Sequence, residues 1–316
     1  MKLTAIGTAG SFPGPNSAAS CYLIETDEEK PTRVVLDLGS GALSPLQRAV
    51  DTDGLSAVVL SHLHPDHCMD MTGLYVKHCY DPKFFNGNIS DTGSIRTRTS
   101  VFAPAGAQER LTRAYYTDPG KSPVAASAHD SDLSHAFDFT DIDHGTSHQV
   151  GSLTIESFLV DHPVEAYALR ITDAKGAVIT YSGDSDECDN LVAAARGADL
   201  FLCEAAFQED RDTARGIHLT GKRAGRVAQA ADAKSLVLTH IPSWTDCSIV
   251  RGEAAREYRG PIELAKPGNS WTVCDSPPTQ ITTQNTVHPG RNRTAPTTER
   301  GPQCAQTDEM PTNSAK

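Results

Sequence analysis

The chain has 316 residues, 38% of them hydrophobic, which is enough for one large domain or two small ones. Its 40 acidic residues outnumber its 28 basic ones, for a formal net charge of -12. That balance argues against a general polyanion binder, because nucleic-acid affinity comes mainly from Lys and Arg neutralising phosphates.

No stretch approaches the roughly 18 consecutive apolar residues of a bilayer-spanning helix. Met1 to Ile6 runs into Gly7 without the long apolar core of a signal peptide and reads as a first strand. The expectation is a cytoplasmic chain without membrane contact, whose eight scattered cysteines, none in a CxxC pair, are reduced thiols.

In chain order, Arg33-Val34-Val35-Leu36-Asp37 and Ala57-Val58-Val59-Leu60-Ser61 are buried-strand candidates, with a helix expected at 41–50 between them. Residues 81–100 and 117–135 are rich in Gly, Pro, Ser, Thr and Asn and read as long exposed loops. Further strands are expected at 153–158, 177–181, 200–203 and 235–239, and helices at 190–196, 220–231 and 251–258. Strands alternating with helices imply an α/β layered domain over 1–274. From Asp275 the chain turns to Thr, Pro, Gln and Asn with few apolar residues, so 275–316 is expected to be a disordered tail.

The strongest chemical signal is His62-Leu63-His64-Pro65-Asp66-His67, directly after the strand candidate at 57–60. His62 and His64 can point the same way from an extended segment. Pro65 forces the chain to turn, so Asp66 and His67 present from the turn. Nitrogen and oxygen ligands this close together suit zinc or a similar first-row ion. Three further candidates follow apolar runs: His162 in Val160-Asp161-His162-Pro163, Asp184 after Ser182-Gly183, and His240 in Leu238-Thr239-His240-Ile241.

The HxHxDH motif, with these residues in order after it, resembles the metallo-β-lactamase superfamily over residues 1–274. The resemblance implies a four-layer αββα sandwich and two divalent metal ions, zinc by preference with manganese or iron as alternatives. One metal would be held by His62, His64 and His162, the other by Asp66, His67 and His240, with Asp184 bridging. Two such ions can share a hydroxide and polarise a phosphoryl oxygen. His64, where the iron flavoprotein branch has Glu, separates the chain from that branch.

Leu202-Cys203-Glu204-Ala205-Ala206, followed by Ile217-His218-Leu219-Thr220, looks like the ribonuclease Z branch, in which a Glu supports a His just before a helix. Glu204 and His218 match those positions, although Cys203 and Ala206 replace the His and Thr usual there. His218 would donate a proton to the departing oxygen, Glu204 would fix its tautomer, and Asp66 would orient the hydroxide. The segments 198–205 and 238–245 are most similar to actinobacterial phosphodiesterases acting on 3′,5′-cyclic nucleotides such as cyclic AMP, and the resemblance also implies a homodimer. The acidic balance and the lack of a basic Gly/Pro-rich insertion disfavour the alternative of a tRNA 3′-processing endonuclease, so nucleic acid is not the expected partner. A hydrolase of thioesters or lactones is a third reading. Gly7 to Ser11 lack a phosphate-loop signature and are read as a backbone turn near the metals. Asp37 is read as lying behind the ligands, and Cys68, His78, His129, His135, His144, His148 and His288 as structural or surface residues.

Overall fold

The computed structural model describes residues 1–83, 98–116 and 133–274, together with the backbone of a strand at 279–282. The first part of the chain supplies β1 (Lys2–Ala9), β2 (Ala18–Ala19), β3 (Cys21–Glu25), β4 (Arg33–Leu36), α1 (Leu43–Ala49), β5 (Ala57–Val59), α2 (Pro65–Cys68), α3 (Met71–Tyr80), β6 (Thr99–Ala103), α4 (Ala107–Tyr115) and β7 (Phe137–Asp141). A second sheet and its helices follow: β8 (Ser147–Val150), β9 (Leu153–Leu159), β10 (Tyr167–Thr172), β11 (Val178–Tyr181), α5 (Asp189–Ala195), β12 (Leu200–Glu204), α6 (Gly221–Ala230), β13 (Leu236–Thr239), α7 (Cys247–Glu257) and β14 (Ile262–Leu264). The chain then returns to the first sheet with β15 (Asn269–Thr272) and β16 (Thr279–Thr282).

The first sheet runs β16-β15-β1-β3-β4-β5-β6-β7, with β2 beside β1, and the second runs β14-β13-β12-β11-β10-β9-β8. Strands β4 to β7 are mutually parallel, as are β11 to β14. Parallel strands are buried on both faces, which is why they read as continuous apolar runs. The period of two then sorts each run between two cores. Val34, Leu36, Ala57, Val59, Leu200, Leu202 and Val237 face the core between the sheets. Their neighbours Val35 and Val58 face α1, α3 and α4, where Leu46, Met71, Leu74 and Leu111 lie. On the other side Phe201, Leu236 and Leu238 face the helix residues Leu191, Ala224, Val227, Val250 and Ala254. Helices thus cover the outer face of each sheet, the four-layer αββα arrangement.

Several elements differ in extent from expectation. The last helix begins at Cys247 rather than at Arg251, because the Asp246 carboxylate caps it by accepting from Ser248 N at 2.8 Å. Helix α3 was not expected. It contains Gly73, where a Cβ would stand 2.9 Å from Leu43 Cδ2, so close helix packing outweighs the low helix propensity of glycine. Within the stretch expected to be a tail from 275, the described part is β16, whose backbone pairs antiparallel with β15, Thr279 opposite Thr272 and Thr282 opposite Asn269. The remainder, 275–278 and 283–316, lies outside the described residues, as do 84–97 and 117–132 of the expected loops. No described helix is long and apolar enough to cross a membrane.

Leu202 is fully buried between the sheets. Leu202→Ala is expected to cost about 2–5 kcal/mol, read as a lowered urea midpoint with an unchanged m-value. A cost under about 1 kcal/mol would contradict the burial of Leu202 between the sheets.

Candidate metal centre

The parallel strands of both sheets deliver their carboxyl ends to one rim, the usual ligand position of open α/β sheets. From the first sheet, Asp37 follows β4, and β5 leads into His62, His64 and α2. His64 is extended (φ -68, ψ 151) at the N-cap of α2, and Pro65 opens the helix where its missing N–H costs nothing. Asp66 and His67 therefore lie on the first turn of α2. From the second sheet, His162 follows β9, Asp184 follows β11, Glu204 ends β12 and His240 follows β13.

These residues form two adjoining groups. His62, His64 and His162 can each offer a ligand atom within 4.8 Å of the others, and so can Asp66, His67, Asp184 and His240. In the first group His64 Nδ1 lies 3.0 Å from His62 Nε2 and 3.2 Å from His162 Nε2. In the second, His67 Nε2 is 3.2 Å from Asp184 Oδ1, and His240 Nε2 is 3.2 Å from Asp184 Oδ2. Asp66 Oδ2 lies 3.5 Å from His67 Nε2 and 3.7 Å from His240 Nε2. Asp184 joins the groups, since its Oδ2 also lies 3.8 Å from His62 Nε2. All seven residues expected to be ligands are thus brought together.

The donor set fits divalent cations. Nitrogens sharing a tetrahedral cation at 2.0–2.1 Å stand roughly 3.3 Å apart, close to the spacings above. Among the described residues, His67 Nε2 and Asp184 Oδ1 are buried without a hydrogen-bond partner, a costly state that a cation between them would relieve. Four of the five rings are also held from behind. His67 Nδ1 donates to Asp37 Oδ2 at 2.7 Å, and His162 Nδ1 donates to Ile217 O at 2.7 Å. His240 Nδ1 lies 2.9 Å from Ser20 Oγ. Ser61 Oγ donates to Asp37 Oδ2 at 2.8 Å, which leaves its lone pair to accept from His62 Nδ1 at 3.1 Å. Such partners set the tautomer and turn the Nε2 lone pairs of these rings inward.

Electrostatics point the same way. Burial opposes charge on His67, but Asp184 and Asp37 outweigh it and hold its pKa well above the usual imidazole range. Burial keeps His62 and His162 low, so these rings are neutral bases available as ligands. Burial would raise the Asp66 carboxyl, yet the His67 ring 3.5 Å away brings it down to about 2. The carboxylates therefore call for positive charge at the centre, which a proton on His67 meets only in part.

His218 and Glu204 adjoin both groups. His218 Nδ1 donates to Glu204 Oε1 at 2.8 Å, and its ring centroid lies 5.4 Å from His162 and 5.6 Å from His240. Glu204, fully buried, also accepts from Ser185 N at 2.9 Å and Ala206 N at 3.0 Å, so its oxygens are occupied in holding the loop and the imidazole. Burial would lower His218, but the Glu204 carboxylate lifts it to about 9; cations in the adjoining groups would oppose that lift.

Sequence reasoning undervalued Asp37. It is fully buried and accepts from Ser61 N, Ser61 Oγ, His67 Nδ1 and Tyr181 OH, at 2.7 to 2.8 Å. Ser20 and Ile217 O were missed, and so was Asp186, which ion-pairs with Arg223 and Arg215 and accepts from Gly216 N at 2.8 Å. Arg223 Nη1 donates onward to His218 O at 3.1 Å, so this network fixes the loop that presents Ile217 and His218. Cys68 is a buried neighbour whose thiol burial pushes up to about 12, a structural thiol. The turn at Gly10 does back onto the site, with Ser11 N 3.4 Å from His240 Nε2. His129 and His288 lie outside the described residues.

A family profile described as a beta-lactamase superfamily domain matches residues 32–241. The uncharacterized protein ML1173 of Mycobacterium leprae is 39% identical over 276 residues, 86% of this chain and 89% of its own length. The probable metallo-hydrolase YhfI of Bacillus subtilis is 32% identical over 279 residues, 86% of this chain and 99% of its own. The crystal structure of YhfI, a metallo-beta-lactamase fold protein, superposes with a TM-score of 0.70 at 29% identity, over 85% of this chain and 98% of that one. Human tRNase Z, short form, shares the fold with a TM-score of 0.62 at 20% identity, over 87% of this chain and 100% of its own.

Asp37→Asn keeps shape but removes the charge behind His67. It is expected to weaken metal affinity by about 10–100-fold in a chelator competition, with an unchanged far-UV spectrum. Wild-type affinity in this variant would show that Asp37 does not tune the centre.

Proposed function

Because the chain belongs to the beta-lactamase superfamily of metallo-hydrolases, we propose that it is a phosphodiesterase acting on small phosphodiesters, 3′,5′-cyclic nucleotides such as cyclic AMP above all. His62, His64 and His162 would hold one divalent cation and Asp66, His67 and His240 a second, with Asp184 shared between them; zinc suits this set of nitrogen and oxygen donors. Such cations supply Lewis acidity toward phosphoryl oxygens and lower the pKa of water toward neutrality.

The observation that carries the reading is the Glu204–His218 pair beside both groups. Phosphodiester cleavage expels a poor alkoxide leaving group, which a positioned acid can protonate. Glu204 accepts from His218 Nδ1 and favours the imidazolium, in which Nε2 also bears a proton that can be donated. Thioester or lactone hydrolysis has no comparable need for this pair. Asp66, held low by His67, serves as an acceptor that orients the attacking water.

Size and charge support a small substrate. The cavity that opens on His64 has a volume of about 280 Å³ and is lined by Leu63, Pro104, Ala105, Arg110, Val164 and Glu165. Arg110 Nε donates to Leu63 O at 2.7 Å, which fixes a guanidinium close to His64 and suits an anionic ester. A net charge of -12 gives no general grip on a long polyanion.

On metal-quantified protein, cyclic AMP, a 3′-extended tRNA precursor, a thioester and a lactone should be assayed side by side, with cyclic AMP expected to be turned over and the tRNA precursor not. His218→Ala is expected to keep its metal and lose about 10²–10⁴-fold in kcat. Wild-type rates in that variant would remove His218 from the mechanism, and turnover of the tRNA precursor alone would replace the small substrate with RNA.

A further inference from the structure

Two large aromatic side chains lie in water beside the candidate centre. Trp244 is 64% exposed and Phe12 37% exposed, and their ring centroids are 5.0 Å apart with planes tilted by 31°. Tryptophan is usually highly buried, so one left this open calls for an explanation.

The pair stands on two loops that meet at His240. Phe12 follows Ser11, whose amide lies 3.4 Å from His240 Nε2, an atom of the second ligand group. Trp244 lies in the turn between His240 and α7. The loops are backed closely together: a Cβ on Gly10 would stand 2.2 Å from His240 O, and one on Gly14 would stand 3.0 Å from Ser243 Cβ. Ser11 (φ 63) and His240 (φ 55) both adopt the left-handed region that non-glycine residues avoid, so packing holds this corner in a strained form. The Trp244 turn is closed by Thr245 N donating to Pro242 O at 2.8 Å, and Arg211 Nη2 donates to Thr245 Oγ1 at 3.2 Å. The rings are therefore mounted on a preformed support whose inner end is the centre itself.

We propose that Phe12 and Trp244 form a stacking platform for a planar heteroaromatic ring on the ester substrate, and so select base-bearing phosphodiesters. The inference rests on the phosphodiesterase reading and names what that site would select. The position fits, because Phe12 adjoins Ser11, whose amide lies 3.4 Å from His240 Nε2. The area also fits. An aromatic side chain covers about 150–250 Å², whereas a stable protein interface needs about 800 Å² per partner. The two rings match a nucleobase and fall short of a dimer contact.

The test uses the metal-loaded full chain. The ratio of kcat/KM for cyclic AMP to that for abasic ribose 3′,5′-cyclic phosphate is expected to fall by about 5- to 150-fold in Trp244→Ala, the scale of one lost base stack, and to recover largely in Trp244→Phe. A second readout does not depend on turnover. Trp271, the other tryptophan, is buried, so acrylamide quenching reports Trp244, and added adenosine monophosphate is expected to protect it. An unchanged ratio in Trp244→Ala, or quenching indifferent to the nucleotide, would overturn the platform. Protection that follows protein concentration instead of nucleotide would make the pair a contact between copies and would overturn it as well. If no phosphodiester in the panel is hydrolysed, the phosphodiesterase reading fails by itself, and the quenching arm still decides whether the rings hold a base.

Discussion

The Asp37 carboxylate is the contact on which the rest of this site depends. A buried charge is tolerated only where donors replace its lost water, and Asp37 has donors from both halves of the fold. Ser61 and His67 come from the first sheet and its α2 extension, and Tyr181 comes from β11 of the second. One side chain thus ties the two sheets together at the rim and fixes an imidazole within the candidate centre. Asp37 itself has φ 57, a left-handed conformation costing about 1–3 kcal/mol that persists only where its surroundings over-determine it. Its own N–H donates to Val59 O, and the next amide, Leu38 N, donates to His67 O, so the strained residue is clamped from both sides.

That clamp explains why an acidic chain gathers imidazoles at this rim. Asp37, Asp66, Asp184 and Glu204 are buried carboxylates, and the residues facing them are histidines rather than lysines or arginines. Imidazoles neutralise such a cluster only when protonated, and most of the rings here are too deeply buried for all to carry charge. A divalent cation places positive charge among the carboxylates while leaving the rings neutral. Asp186 is the counterexample that sharpens the point. It is paired with Arg223 and Arg215, and it serves only to hold the loop that carries Ile217 and His218. The fold uses fixed guanidinium charge where it builds structure and exchangeable charge where it presents ligands.

Much of this was legible in the chain because the relevant signals are local. His62 to His67 compress four donors into one turn, and the runs at 33–37, 57–61, 200–203 and 235–239 show two-faced burial directly. His162, Asp184 and His240 could be placed because each follows such a run, so the strand ends that bring them together were already visible. What escaped was non-local or carried by backbone. Ser20 faces His240 across 220 residues, and the partner of His162 is a carbonyl, which has no residue type to read. Asp37 was visible at a strand end, but its four donors were not. Helix α7 did carry a readable cap in Asp246 and Ser248, whereas α3 has no capping side chain at its start and contains Gly73, a poor helix former.

A phosphodiester has two ester arms, and the rim offers them unlike surroundings. On the His64 side lies a partly apolar cavity with the Arg110 guanidinium at its wall; on the His240 side lies an open pair of rings. His218 stands almost equally far from His162 and His240, so its position alone does not choose which arm departs. On the phosphodiesterase proposal, the choice would come from how the two flanks orient the phosphate relative to His218. In a cyclic diester both arms belong to one sugar, and a ring seated on the His240 flank would turn that sugar as a unit. Binding energy gained away from phosphorus would thereby set the geometry at phosphorus, and such a platform would draw on the rigidity of the strained, closely packed backbones that carry Phe12 and Trp244.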